Sequence, residues 1–452
     1  SKEVIQDLLR KREGRNVFLF FIHSYLKYEN KKDLMRNIME RILESKNIFV
    51  PQLGVVKAET FSTIYPFVNH YVLTERDYQE SRAGDIKELL DIKTHITNPY
   101  RRCVGGYERN INIFFLLAEA MWIALGKKDV KFLTLFNKKM AEYSDDGKTF
   151  HAPYGYRLRH WGVRTEDKFV EDSLGASRGY DQVIDAIRIL TENPNSRQVV
   201  MEIWNPNFDL GYKTKDIPCN DIVMLKIREG KLITTIGNRS NDLHLGLPTN
   251  IFQFSFLTEL IAGALGVELG TQTHNSQSLH VYSWNKSAEV MDKIFEARKR
   301  GVSVVGDMYE DCGAKERRID FNFSHEVPVN RFREIECNLN IIIENLTRIA
   351  DGGEEIQEEI GQLASFSNYL HTSYQLLKIY LEYKQKNVVA KTDIEKDAAR
   401  LTAISEIEVL EQDFNLIETD DDVFSWDIAM LAKNFFFTRL TKKPNHEYLG
   451  KL

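Results

Sequence analysis

Apolar positions along the chain follow different spacings in three successive stretches. In the first, residues 1–72, the run NVFLFFI at 16–22 is strand-like. Residues 31–45 then carry helical spacing through Leu34, Ile38, Met39 and Ile42. The spacing predicts a small N-terminal α/β extension. In the second stretch, 73–328, strands and helices alternate. A buried helix is expected over 111–125, with Gly126 as its C-cap, and another over 184–190, stopped by Asn193 and Pro194. Residues 198–204 read as a strand, and 222–236 as two strands joined at Glu229 and Gly230. A strongly apolar helix is expected over 251–265, closed by Gly266, and a short strand over 279–282. From Val329 to the end of the third stretch, 329–452, the pattern is helical, with Asp351, Gly352 and Gly353 separating two helices. The expected fold is therefore an α/β (α+β) core between a small N-terminal α/β extension and a C-terminal all-helical module.

Composition narrows the function classes. With 452 residues the chain has room for two or three domains. A net charge of -6 supplies no global basic field for bulk nucleic-acid binding, although a local anion pocket remains compatible with it. No apolar run approaches the roughly 18 residues of a membrane span, and the opening SKEVIQDLLRKREGR is too polar for a secretory signal. Cys103, Cys219, Cys312 and Cys337 have no CxxC spacing. The expectation is a reduced, cytoplasmic protein without a metal site or membrane contact.

Three segments carry candidate chemistry. In IPCND, Pro218 constrains the approach to Cys219 and a strand follows; taken alone, such a cysteine also suits a small buried hydrophobe. The segment GNRSNDLHLGLPTN at 237–250 gathers Arg239, Ser240, Asp242 and Asn250 around a Gly-Leu-Pro turn. Arginine and serine suit a phosphate, and asparagine can donate to and accept from a base edge; a solvated polar loop has the same composition. Glu119 lies inside FFLLAEAMWIAL. A carboxylate in an apolar helix is costly unless it is paired or kept for acid–base work.

Taken in order, these segments resemble the thymidylate synthase family, which includes the nucleotide hydroxymethylases. The resemblance rests on Cys219, then Arg239, Ser240 and Asp242, then Gly246, Leu247, Pro248 and Asn250, then His280 and Tyr282. Upstream it extends to 193–197 (NPNSR), to 152–155 (APYG), to Glu119, Trp122 and Gly126, and to Ser81, Arg82 and Gly84. It covers residues 80–285, about half the chain. The resemblance implies a core built on a large bent mixed sheet, and a two-fold homodimer with shared active sites. It further implies one-carbon transfer from 5,10-methylenetetrahydrofolate, as co-substrate, to C5 of a pyrimidine nucleotide. Cys219 would add to C6 and make C5 electron-rich, with Arg239 helping to hold the thiolate. Glu119 would act as acid–base through water, and Tyr154 would assist removal of the C5 proton. Arg82, Arg239 and Ser240 would hold the phosphate, with Arg197 reaching in from a partner subunit. Asn250 would read the ring, His280 and Tyr282 the sugar hydroxyl. Asp242, Trp122 and Gly246 would line the folate site. An amide at 250 favours the 4-oxo ring of dUMP over a 4-amino ring.

The chain departs from the family pattern in four places. Gln198 stands where a second inter-subunit arginine is expected, and Asn220 where a histidine follows the cysteine. Residues 137–147 offer Met140 and Tyr143 where two tryptophans would flank the folate. The short apolar C-terminal tail is replaced by the helical stretch ending YLGKL. A wetter folate site would let water capture the methylene intermediate, giving 5-hydroxymethyl-dUMP rather than dTMP; the lean is to hydroxymethyl transfer. The alternative is a nucleotide-binding or assembly module that kept the fold with little turnover. The basic N-terminal start and the helical end leave room for a protein or nucleic-acid partner.

Overall fold

The computed structural model describes residues 48–50, 53–81, 83–104, 109, 111–161, 180–299, 309, 314–417 and 427–440. The strand at 16–22, the helix at 31–45 and Arg82 lie outside them.

A mixed sheet forms the backbone of the molecule. Its strands are β1 Ile48–Val50, β2 Val55–Ala58, β3 Ile86–Ile96, β4 Val200–Glu202, β5 Asn220–Arg228, β6 Lys231–Asn238, β7 Asn241–Asp242 and β8 Glu268–Tyr282, running β1-β2-β3-β8-β6-β5-β4 with β7 added beside β8. β2 with β3, β6 with β8 and β7 with β8 are parallel; the remaining pairs are antiparallel. The β5–β6 hairpin turns at Glu229 and Gly230, with φ of 54° and 71°. Two consecutive positive φ values suit the right-handed twist of a tight hairpin, which is why a glycine sits at the second position. β8 runs for 15 residues, far beyond the short strand expected. Its centre, TQTHNSQS, is polar on both faces and hides the strand's period, yet Gln272, His274 and Ser276 are buried there.

Helices cover one face of the sheet. They are α1 Phe61–Glu75, α2 Ile113–Ala124, α3 Val130–Phe136, α4 Tyr154–Arg159, α5 Gln182–Glu192, α6 Pro206–Asp209, α7 Gly246–Leu265 and α8 Ser287–Lys299. α1 crosses residue 72, so the proposed extension ends in the middle of a helix rather than at a linker. α2 is capped by the Asn112 side chain and ends where Gly126 turns left-handed at φ 64°. α7 begins five residues before the expected start, at Gly246. Pro248 is tolerated because first-turn N–H groups have no partner inside the helix.

The remaining helices are α9 Pro328–Ala350, α10 Gln357–Phe366, α11 Asn368–Val389, α12 Asp393–Ile417 and α13 Asp427–Phe437. The all-helical reading holds for the described part of this stretch, but its packing joins it to the α/β part. One apolar cluster runs from Cys103 and α2 through α7 to α11 and α13. Tyr380 of α11 stacks on Phe114 of α2 at 4.5 Å and on Phe136 of α3 at 5.8 Å. A buried polar joint reinforces the contact. The Arg102 guanidinium pairs with Glu259 of α7, the Ile319 amide donates to the other Glu259 oxygen at 2.7 Å, and the Tyr309 hydroxyl donates to Asp427 of α13 at 2.7 Å. Burial disfavours the Arg102 charge, and the Glu259 carboxylate more than offsets it. Among the described residues no helix is long and apolar enough to cross a membrane.

Candidate active site

Cys219 sits immediately before β5, and Arg239 immediately after β6. The antiparallel hairpin therefore returns the arginine to the cysteine, with the Arg239 amide donating to the Cys219 carbonyl at 3.1 Å. Its guanidinium then donates to the carbonyls of Pro218 (Nε, 2.8 Å) and Ile217 (Nη2, 3.1 Å), which leaves Nη2 3.8 Å from Cys219 Sγ. A partly exposed sulfur thus lies against a positioned cation, an arrangement that favours the anionic nucleophile.

Glu119 of α2 lies near Tyr154, the side chain that Cys219 also approaches. Burial pushes its carboxyl from 4.5 up to about 8, against the opposing hydrogen bond from Gln253 of α7. It therefore holds a proton at neutral pH and can exchange it. Tyr154 opens α4, which packs so closely on α2 that a Cβ at Gly155 would come within 2.0 Å of the Ile123 carbonyl oxygen. Its phenol is pushed well above the usual range by burial and by the Cys219 and Asp216 negative charges, while the Cys219 amide donates to it. Thiol, carboxylic acid and phenol are therefore gathered in one place.

A chain of amides forms the adjacent wall. Asn238 donates to Asn220 Oδ1, Asn220 Nδ2 to Asn250 Oδ1 at 3.1 Å, Asn250 Nδ2 to Asn241 Oδ1 at 3.2 Å, and Asn241 Nδ2 to Ser276 Oγ at 3.1 Å. Both ends of the Asn250 amide are held by neighbours, so its orientation is set. Asn220, which departs from the family pattern, supplies one of the two holds and is fully buried.

Asp242 lies across β7 from His280. Its Oδ1 accepts the His244 amide at 2.7 Å and the Leu245 amide at 3.3 Å, which shapes the turn into α7. Burial pushes the Asp242 carboxyl up and the His280 imidazole down. Gly246 opens α7, where a Cβ would come 3.3 Å from both Asn241 Oδ1 and Asp242 Cβ. Behind the turn, the Tyr65 hydroxyl meets His244 Nδ1 at 2.7 Å and Arg109 donates to the His244 carbonyl. Tyr143 reaches the same corner. Its phenol is raised by burial and by the Glu142 and Asp242 carboxylates, and the residue is 51% exposed.

Several expected residues stand apart from this centre. Trp122 is buried, with its indole N–H directed to the Asp129 carbonyl at 3.1 Å. Arg197 is exposed, with no ion pair among the described residues, and the Gln198 amide donates to Ser196 Oγ at 3.2 Å. Ser240 is half-buried beside Arg239. His280 meets Tyr282 edge-on at 4.9 Å. The sequence reading missed Gln253, Asn238, Asn241, Tyr65 and Arg109. Only Asn241, between Ser240 and Asp242, and Gln253, one helical turn after Asn250, carried a positional hint. Among the described residues no group of three or more His, Cys, Asp or Glu side chains is placed to hold a metal.

Residues 108–305 match the family model of thymidylate synthase. Among individual proteins, the chain is 40% identical over 233 residues to a deoxyuridylate hydroxymethyltransferase of Bacillus phage SP01, covering 51% of this chain and 59% of that protein. A deoxyuridylate hydroxymethyltransferase of Pseudomonas phage M6 is 33% identical over 245 residues, covering 54% and 64%. A thymidylate synthase of Encephalitozoon cuniculi is 37% identical over 129 residues, covering 28% and 42%. The chain thus spans about three-fifths of the length of the phage relatives it matches.

Proposed function

We propose that this protein transfers a one-carbon unit from 5,10-methylenetetrahydrofolate to C5 of dUMP, and that its product is 5-hydroxymethyl-dUMP rather than dTMP. The observation that carries the reading is the Arg239 guanidinium 3.8 Å from Cys219 Sγ, with Glu119 and Tyr154 beside it. The thiolate forms a bond to C6, and the ring electrons move to make C5 nucleophilic. Glu119, protonated at neutral pH, delivers and recovers a proton through water. Tyr154 assists departure of the C5 proton. Asn250, locked by Asn220 and Asn241, presents one donor and one acceptor to the O4 and N3 edge. Arg82, Arg197, Arg239 and Ser240 bind the phosphate, with Arg197 acting across a homodimer interface; His280 and Tyr282 bind the sugar.

The folate supplies carbon at the formaldehyde level. Asp242 suits its pterin, because Oδ2 accepts no hydrogen bond from a described residue and so is available to an N–H edge. Gly246 and the Trp122 helix form the wall beside it. The names of the two phage relatives favour the hydroxymethyl product, as does the exposed Tyr143 where an apolar tryptophan would exclude water. The test is tritium release from dUMP labelled at C5. Release that requires methylenetetrahydrofolate and is lost in Cys219→Ser is expected; no release by the pure protein, or equal release by the variant, supports the non-catalytic reading instead. The mass of the product separates hydroxymethyl from methyl.

A further inference from the structure

Three rings succeed one another at alternate positions as β8 leaves the sheet. His280 meets Tyr282 edge-on at 4.9 Å, and Tyr282 stacks on Trp284 at 4.9 Å with 21° between the planes. Trp284 is 58% exposed, so burial of its own surface does little to keep it in place. Specific contacts hold it instead. Its Nε1 donates to the Ala83 carbonyl at 2.9 Å. The indole also lies on Gly84, where φ is 116° and an added Cβ would come 3.1 Å from the ring. The turn at 81–84 is closed by the Gly84 amide donating to the Ser81 carbonyl at 3.2 Å and by the Ser81 hydroxyl donating to the Gly84 carbonyl. The Ser283 amide adds a bond to the Asp85 carbonyl at 2.8 Å. The indole therefore joins Ala83 and Gly84 to the outer end of the ring ladder. The inner end, His280, lies against Asp242 in the active site.

We propose that Trp284 is a positioning residue for the nucleotide, setting the distance between the turn at 81–84, which receives the 5′-phosphate, and His280 with Tyr282, which receive the sugar. The proposal rests on the assignment of Arg82, His280 and Tyr282 made under Proposed function. A clamp of this kind pays off only when both of its ends engage one ligand, so it acts on the phosphate's contribution to binding. Trp284→Ala is expected to weaken dUMP binding and raise its KM about tenfold, the scale of a lost hydrogen bond with its ring contact. The kcat should change by less than about threefold. Trp284→Phe keeps the ring stack and should lose about threefold. Binding of deoxyuridine, which lacks the phosphate, should be unchanged in both variants. Equal weakening of dUMP and deoxyuridine, or of neither, overturns the proposal. Arg82→Ala separates it from the underlying reading. If Arg82→Ala weakens dUMP and Trp284→Ala does not, the phosphate assignment stands and the role of Trp284 falls; if Arg82→Ala leaves dUMP affinity intact, both fall.

Discussion

Glu119 and Glu259 lie on neighbouring apolar helices, α2 and α7, and meet opposite surroundings. Glu259 is 4% exposed, paired with the Arg102 guanidinium and further bonded by the Ile319 amide. Among the described residues Glu119 has no cation beside it, only the amide of Gln253, and burial raises its carboxyl to about 8. The same side chain in the same kind of helix is an ion in one place and a neutral acid in the other. The partner decides which: a cation compensates the lost hydration of a carboxylate, whereas an amide does so only in part. One region uses the pair to tie α7 to the segment ahead of α2, close to Tyr369 and Asp427 of the C-terminal helices. The other leaves the carboxyl without a charge partner, so that its proton remains exchangeable.

Glu259→Gln gives the sharpest test on the structural side. It leaves the Arg102 charge buried without its carboxylate, so unfolding experiments should show a loss of about 3–5 kcal/mol. Adding Arg102→Met should restore part of it. A single variant as stable as the parent would mean that the joint carries no weight.

Glu119→Gln should behave in the opposite way. Activity should fall by about 10²–10³-fold, while folding stability should hold or rise. Between 4.5 and about 8 the native state keeps a proton that the unfolded chain has lost. The stability contributed by this group is therefore complete below its unfolded value and is lost as pH rises through the folded one. Melting temperatures of variant and parent should diverge as pH rises from about 5 to about 9, with the variant gaining. The parent's rate should also decline above a pH of about 8, as Glu119 loses its proton, and that limb should be missing from the residual activity of the variant.

The smallest effect belongs to Gln253→Leu. The Gln253 hydrogen bond favours the ionised carboxylate. Its removal should carry the alkaline limb of the pH–rate profile upward, by up to about one pH unit, with little change in stability. A limb that stays in place would show that burial alone sets the proton affinity of Glu119.

Much of this was legible along the chain. Period and punctuation located α2, α5, α7 and the β5–β6 hairpin, because Gly126, Gly266 and the Glu229–Gly230 turn act through local backbone preference. Residue type and order singled out Cys219, Arg239 and Glu119 as candidates, and the structure sets Arg239 against Cys219. β8 was not legible, since a strand with polar residues buried on its inner face has no hydrophobic alternation to read. The extent of the C-terminal packing was not legible either. The phenylalanines and tyrosines of α11 and α13 announce helices that must bury a face, without saying against what.

What the sequence determined by itself is therefore local: element types, their turns, and the ordered set of reactive and polar side chains. The tertiary structure alone decided which charges are paired. It brings Arg102 to Glu259 across 157 positions of chain and Gln253 to Glu119 across 134. Proton affinity depends on desolvation and on groups a few ångströms away, and these distances exist only once the sheet, α2 and α7 have packed.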